Sequence, residues 1–238
     1  MTASAQSGPR CTARLALVLC LAAGTAGSPA HGAGVHPELG FAANALLGLG
    51  ELATVSQPSM GGEAALQVVR DGGGFGLRAA MGLQLLQSHT IPTGEEIFNG
   101  IATQPGKFVA GQHILWLAIG PAWSAPVGSG RLDLYLMAGK ANAKASSSGA
   151  WINTVGADPG SSHTSLVVAG ATGSLPPSGS GTIEIGTEFF VGGRAAFWDN
   201  PPAVADGSGN HLLQSRTASI TGILMRAGYR FGGAPSGR

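Results

Sequence analysis

The segments TIEIGTEFFVGGRAAFW (Thr182–Trp198) and RTASITGILMRAGYRF (Arg216–Phe231) decide how the rest of the chain is read. In the first, Ile183, Ile185, Thr187, Phe189, Val191, Ala195 and Phe197 fall on one parity. Glu184, Gly186, Glu188, Phe190, Gly192 and Arg194 fall on the other. In the second, Ile223, Met225, Ala227, Tyr229 and Phe231 alternate with Leu224, Arg226, Gly228 and Arg230. Side chains of a strand alternate between faces, so each segment presents one apolar face and one face of glycine and charge. Strands of this kind suit a wall with lipid outside and a crowded polar lumen inside.

Six further segments precede these two. Strand patterns are expected over Phe41–Leu52, Gly62–Arg70, Phe75–Gln87, Val109–Trp123, Arg131–Lys144 and His163–Leu175. In Phe75–Gln87, for instance, Phe75, Leu77, Ala79, Met81, Leu83 and Leu85 oppose Gly76, Arg78, Gly82 and Gln84. Between strands, compact turns such as Asp71-Gly72-Gly73-Gly74 and Ser124–Gly130 alternate with long polar stretches, Ser88–Lys107, Ala145–Ser162 and Asp199–Gln214. An even strand count with short turns at one end and long loops at the other is the signature of an up-and-down transmembrane barrel. The expectation is therefore all-β: an eight-stranded antiparallel up-and-down transmembrane β-barrel over residues 41–231, with a lead-in at 31–40 and a tail at 232–238.

Residues 1–30 read as a signal peptide. Arg10 and Arg14 give a basic start, Leu15–Gly24 is an apolar run, and Ser28-Pro29-Ala30 offers small residues for cleavage. The run is too short to span a bilayer as a helix, which takes about 20 apolar residues. Both cysteines, Cys11 and Cys20, fall in this segment, so the mature chain has neither disulfide nor thiolate metal site. Removing Arg10 and Arg14 leaves 11 basic against 12 acidic residues, a formal charge of −1, and no basic stripe speaks for nucleic acid. Glycine numbers 40 and charged residues only 11%, a combination that disfavours helices and charge-driven disorder alike.

Phe41, Phe75, Trp123, Tyr229 and Phe231 share the apolar parity near the short-turn end, and Phe197, with Trp198 after it, lies at the opposite rim. Transmembrane barrels carry aromatic girdles at both interfaces. The last strand, Met225-Arg226-Ala227-Gly228-Tyr229-Arg230-Phe231, resembles the closing strand of the eight-stranded outer-membrane β-barrel superfamily. That superfamily includes the OmpA-like transmembrane domain and the opacity-type small, porin-like proteins, and the resemblance covers about residues 40–231. It implies a place in the outer membrane of a Gram-negative cell envelope, contact with outer-membrane lipid, and contact with the barrel assembly machinery during biogenesis. Here Phe231 is followed by Gly232–Arg238 instead of ending the chain.

Few motifs point to chemistry. Gly74-Phe75-Gly76 with Ala79, and Glu95 and Glu96 beyond, imitates a dinucleotide fingerprint, but period-two alternation follows where a helix would have to start. His89, His113, His163 and His211 gather toward the long-loop end without any recognised metal-ligand spacing. His163 and Ser165 share one strand face, a workable base-and-nucleophile pair that resembles the His-x-Ser of outer-membrane lipid A deacylases. No acid lies near in sequence to orient the histidine. The reading preferred is a non-enzymatic barrel, its lumen largely filled by side chains, with a structural or surface-interaction role through loops whose partner the sequence does not name. An acyl hydrolase using His163 and Ser165 is the alternative, and neither reading calls for a cofactor. A soluble lipocalin-like carrier needs an apolar interior, which the charged, glycine-bearing parity disfavours. Inside the lumen, Glu184, Glu188, Arg226 and Arg230 form an expected ionic cluster, joined by Arg78. The register expected there sets Glu184 opposite Arg230 and Glu188 opposite Arg226.

Overall fold

The alternating segments become strands in the computed structural model, which describes residues 34–55, 58–70, 72–93, 97–98, 101–102, 106–148, 161–175, 181–196 and 217–232. Within these, only the backbone is described at 55, 87–110 and 145–148. The strands are β1 (Val35–Gly48), β2 (Ser59–Arg70), β3 (Gly74–Thr93), β4 (Ile97–Phe98), β5 (Ile101–Ala102), β6 (Gly106–Val127), β7 (Gly130–Ser148), β8 (Ser161–Ser174), β9 (Gly181–Ala196) and β10 (Thr217–Phe231). A short helix, α1 (Glu51–Val55), follows β1. Eight strands close into one antiparallel barrel in the order β1-β10-β9-β8-β7-β6-β3-β2, and β4 and β5 form a separate small hairpin. The ring closes through β1 and β10, from Leu39 opposite Phe231 to Gly48 opposite Gly222. No sheet edge is left among these eight strands, so their backbone groups are satisfied within the wall.

The turns at one end follow from glycine. Gly72, Gly73 and Gly74 adopt φ of 78°, 93° and 114° between β2 and β3, and Gly128 adopts 59° in the hairpin between β6 and β7. These left-handed values are open to glycine at no steric cost.

Several expected boundaries are corrected. Leu52, expected in the first strand, sits in α1, and β1 instead begins at Val35 within the expected lead-in. Gly50, with φ of 55°, breaks the strand, and Leu52 turns into the barrel end with no exposed surface. The polar stretch Ser88–Lys107 is largely paired backbone: His89–Thr93 ladder with Gly106–Ala110. A ladder beyond the apolar belt needs hydrogen-bond partners but no apolar face, so hydrophobic alternation does not reveal it. Ala195 has the lipid parity in the sequence but is buried, because the register shifts beside Ser219 and Thr221 and reverses the faces above it. The expected signal peptide, both cysteines, Glu95, Glu96, Phe197, Trp198, His211 and the tail after Gly232 lie outside the described residues, as does the His89 side chain.

The same irregularity anchors α1. The Glu51 carboxylate accepts the Ser219 backbone N–H at 2.8 Å, and Leu49 N–H donates to the Thr221 carbonyl at 2.8 Å. The Ser219 N–H holds the Glu51 carboxyl below its usual range, slight desolvation opposes this, and Arg194 adds to the lowering.

Inside the wall, glycine makes room for rings. Gly82 pairs with Trp116, and a Cβ at Gly82 would stand 2.5 Å from the indole. Gly170 pairs with Tyr135, and a Cβ there would stand 2.3 Å from its ring. Gly82→Val is therefore expected to eject Trp116 from its seat and destabilise the barrel by about 1–3 kcal/mol. The check is the urea midpoint in detergent, read by heat-modified gel mobility.

Candidate functional site

The inward face carries two layers. At the short-turn end the lumen is polar. Five carboxylates (Glu38, Glu63, Asp133, Glu184, Glu188) and four guanidiniums (Arg78, Arg131, Arg226, Arg230) are joined there by ion pairs. Toward the long-connection end it is apolar: Trp116 packs edge-to-face on Phe190 at 5.1 Å, with Ile114, Leu166, Ile220 and Leu224 buried about them. The crowded polar lumen expected from the sequence is found at the short-turn end. The inward positions nearer the long-connection end carry mostly large apolar residues, with the hydrogen-bonded Gln84–Asn44 pair buried among them, so the ion pairs are confined to the lower half.

Glu184, Glu188, Arg226 and Arg230 are brought together by a register two residues away from the expected one. Glu184 lies opposite Gly228, Glu188 opposite Leu224, Arg226 opposite Gly186 and Arg230 opposite Thr182. A slip of two keeps every side chain on its face, so contacts form diagonally. Arg226 reaches Glu184 at 3.3 Å and Glu188 at 3.6 Å, and Arg230 contacts Glu184 directly. Arg78 joins through Glu63, which it meets at 2.8 Å and which Arg226 meets at 3.4 Å.

Sequence reading missed half of the network. Arg230 also bonds Glu38 at 3.1 Å and Asp133 at 2.7 Å, and Arg131 grips Glu38 through two bonds of 2.9 and 2.5 Å. Gln67 and Ser124 close on Asp133 at 3.2 and 2.5 Å, and Tyr135 donates to Glu188 at 2.6 Å. The Arg78 guanidinium also lies 4.4 Å from the centre of the Tyr135 ring. The signal was available in part, since Asp133 and Tyr135 share the polar parity of their strand. Glu38 was hidden in what read as a lead-in.

Glycine placement explains how so many long side chains fit. Across the strand ladders Glu63 faces Gly82, Glu188 faces Gly170, Arg226 faces Gly186, Glu184 faces Gly228, Arg230 faces Gly40 and Arg78 faces Gly120. Each of these charges thus has a neighbour without a side chain over which it can lie flat.

On the outer wall, His163 and Ser165 both point away from the lumen on β8 and are exposed. Their cross-strand partners are Asn142 and Lys140, and among the described residues no carboxylate pairs with His163. His113 is on the same outward face of β6, opposite Lys144. Among the described residues no group of histidine, cysteine, aspartate or glutamate is placed to hold a metal.

No protein-family model and no curated protein matches the chain. Among solved structures it is similar to Ail, the attachment invasion locus protein of Yersinia pestis, in complex with the heparin analogue sucrose octasulfate, at 13% identity over 83% of this chain and 97% of that one, TM-score 0.42. It is also similar to a major outer membrane protein from Thermus thermophilus at 12% identity over 83% and 98%, TM-score 0.46. Neisserial surface protein A matches at 9% identity over 83% and 96%, TM-score 0.38. At these values the similarities bear on neither ligand nor activity.

Within the network, Glu188 meets one cation, Arg226, and the Tyr135 hydroxyl. Arg226→Met is expected to cost about 3–5 kcal/mol by leaving Glu188 buried without its counter-charge. Adding Glu188→Gln should recover part of that loss in urea titrations. The charge exchange Glu188→Arg with Arg226→Glu should not rescue folding, because the new glutamate would face Glu63 and Glu184. The chain folds as a closed eight-stranded antiparallel up-and-down barrel, the architecture that its closing strand implies.

Proposed function

We propose that the chain is a non-enzymatic integral protein of the cell outer membrane, a barrel closed to solutes that serves a structural or surface-interaction role through the connections at its long end. One observation carries this reading: every barrel strand exposes large apolar side chains outward. Phe75, Met60 and Met225 stand 75%, 73% and 68% exposed, and Leu47, Leu115, Leu136, Val167 and Ile185 continue the belt around the ring. A water-soluble protein does not keep a continuous apolar belt bare, whereas a lipid-facing wall requires one. Phe41, Phe75, Trp123 and Phe231 crowd its lower margin, and Tyr229 and Phe231 meet edge-on at 4.8 Å.

Closure is supported by the two lumen layers. The ionic network crosses the lower half and the Trp116–Phe190 layer fills the upper half, with Leu52 of α1 set against its top. Eight strands leave an interior that side chains alone can fill. The hydrolase alternative draws on the shared face of His163 and Ser165 but lacks a described acid.

Expected outcomes follow for the native chain. It should sediment with membranes, require detergent for extraction and run faster unheated than heated on gels. In planar bilayers it should give no sustained conductance. Recovery in a detergent-free soluble fraction, or a steady open channel, would replace this reading. Purified barrel should release no fatty acid from lipopolysaccharide; release lost on Ser165→Ala would establish the hydrolase instead.

A further inference from the structure

The outward parity is apolar over most of the wall, and one sector breaks it. On β7 the outward series runs Leu134, Leu136, Ala138, then Lys140, Asn142 and Lys144. The ladder places Lys140 between Leu117 and Ser165, Asn142 between Leu115 and His163, and Lys144 between His113 and Ser161. Three rows of a sheet therefore bring two ammonium groups, two imidazoles, an amide and hydroxyls onto one outward face, directly above a leucine-rich surface. Residues directly opposite have Cβ atoms about 4.5–5.5 Å apart, so these groups form one patch.

Two features set the patch apart. Both lysines are exposed, and among the described residues neither has a carboxylate partner. By contrast, the outward cation Arg194 on β9 is matched by Glu51 at 3.4 Å. A lysine on the lipid face is unfavourable by about 2–4 kcal/mol at mid-membrane and by about 0–1 kcal/mol near the interface. Its position one step beyond the apolar series, at the long-connection end, therefore marks the interface, where the stem lies on the wall and the ammonium reaches the headgroups.

From this arrangement we infer that the Lys140–Lys144 sector of the outer wall binds the phosphate groups of an anionic lipid in the leaflet at the long-connection end. The inference rests on the membrane-embedded reading above. Charge complementarity selects the headgroup, and continuity with Leu115, Leu117 and Leu136 selects a lipid over a free anion, since acyl chain and phosphate meet apolar wall and cation on the same strand. Lys140 and Lys144 are four residues apart, about 13 Å along the strand, a span suited to a headgroup carrying more than one phosphate. His163, Asn142 and Ser165 supply hydrogen-bond donors between them.

The test titrates the full chain, in zwitterionic detergent, with bis-phosphorylated lipid A and counts bound lipid by native mass spectrometry. Each ammonium near an anionic surface is expected to contribute about fivefold in affinity, so Lys140→Gln with Lys144→Gln should lose about 25-fold. Arg70→Gln, on an exposed residue at the other rim, should change nothing, and heat-modified mobility should show both variants folded. Binding should weaken with salt and with lipid A stripped of phosphate. Equal binding of the stripped lipid, equal binding of inorganic phosphate, or a double variant that is folded and unimpaired would each overturn the inference. So would a double variant whose only change is in oligomeric state, since that assigns the patch to a second copy of the chain. If instead the chain proves soluble without detergent, the membrane reading has failed, and this is distinguishable from failure of the lipid site.

Discussion

A buried charge must be met by an opposite charge or a hydrogen bond, and nine ionisable side chains in the lower lumen impose that condition on the whole ring. The pairs join β1, β2, β3, β7, β9 and β10: Glu63 with Arg78 and Glu184 with Arg226 lie within hairpins, whereas Arg226 with Glu63 and Arg230 with Asp133 tie one hairpin to another. Glu38 of β1 meets Arg230 of its ladder neighbour β10 and Arg131 of β7, on the far side of the barrel. Net gain in stability from such buried pairs is small, because desolvation offsets most of the attraction. Their consequence is specificity. A register slipped by one residue would turn the charges of that strand outward, away from their partners, and ties such as Glu38 to Arg131 form only in the closed ring.

Glycine and arginine are two parts of one device. Six of the network's charged residues face a glycine on the neighbouring strand, and two aromatic rings do the same in Trp116 over Gly82 and Tyr135 over Gly170. The glycine count that looks like weak strand propensity in the sequence is thus a packing requirement of a narrow lumen. Above this layer the inward residues turn apolar, and there cohesion comes from burial rather than from paired charge.

How far the sequence spoke depended on period two. In β9 and β10 alternation marked each inward residue from Ile183 to Val191 and from Ile223 to Phe231, and the structure keeps those faces. The closed eight-stranded ring followed from counting such segments and from the lengths between them. Alternation is silent where the apolar face stops being needed: β3 and β6 run on as a paired ladder from His89 to Thr93. It is also broken by an inserted residue on β9, between Val191 and Arg194 opposite Ser219 and Thr221, after which Ala195 changes sides. The ionic cluster was legible as inward charge on β9 and β10. Its partners were not, since contacts across a barrel join residues such as Arg131 and Glu38 that no local pattern relates.

The choice of cation separates the two faces. All four basic residues of the lumen network are arginine, and the two on the outward face of β7 are lysine. Inside, a planar fork with five donors can serve several acceptors at once, as Arg226 does for Glu63, Glu184, Glu188 and Tyr135. A single ammonium, strongly hydrated and round, would leave part of that shell unmet. At a membrane interface the demands reverse. There the useful cation keeps its water, moves on a flexible stem and can rest its methylenes on apolar wall, demands that a lysine such as Lys140 or Lys144 suits better than an arginine. Charge on the inward parity is thus held by partners fixed in the wall, while Lys140 and Lys144 on the outward parity stand without a carboxylate partner among the described residues, where lipid headgroups would meet them.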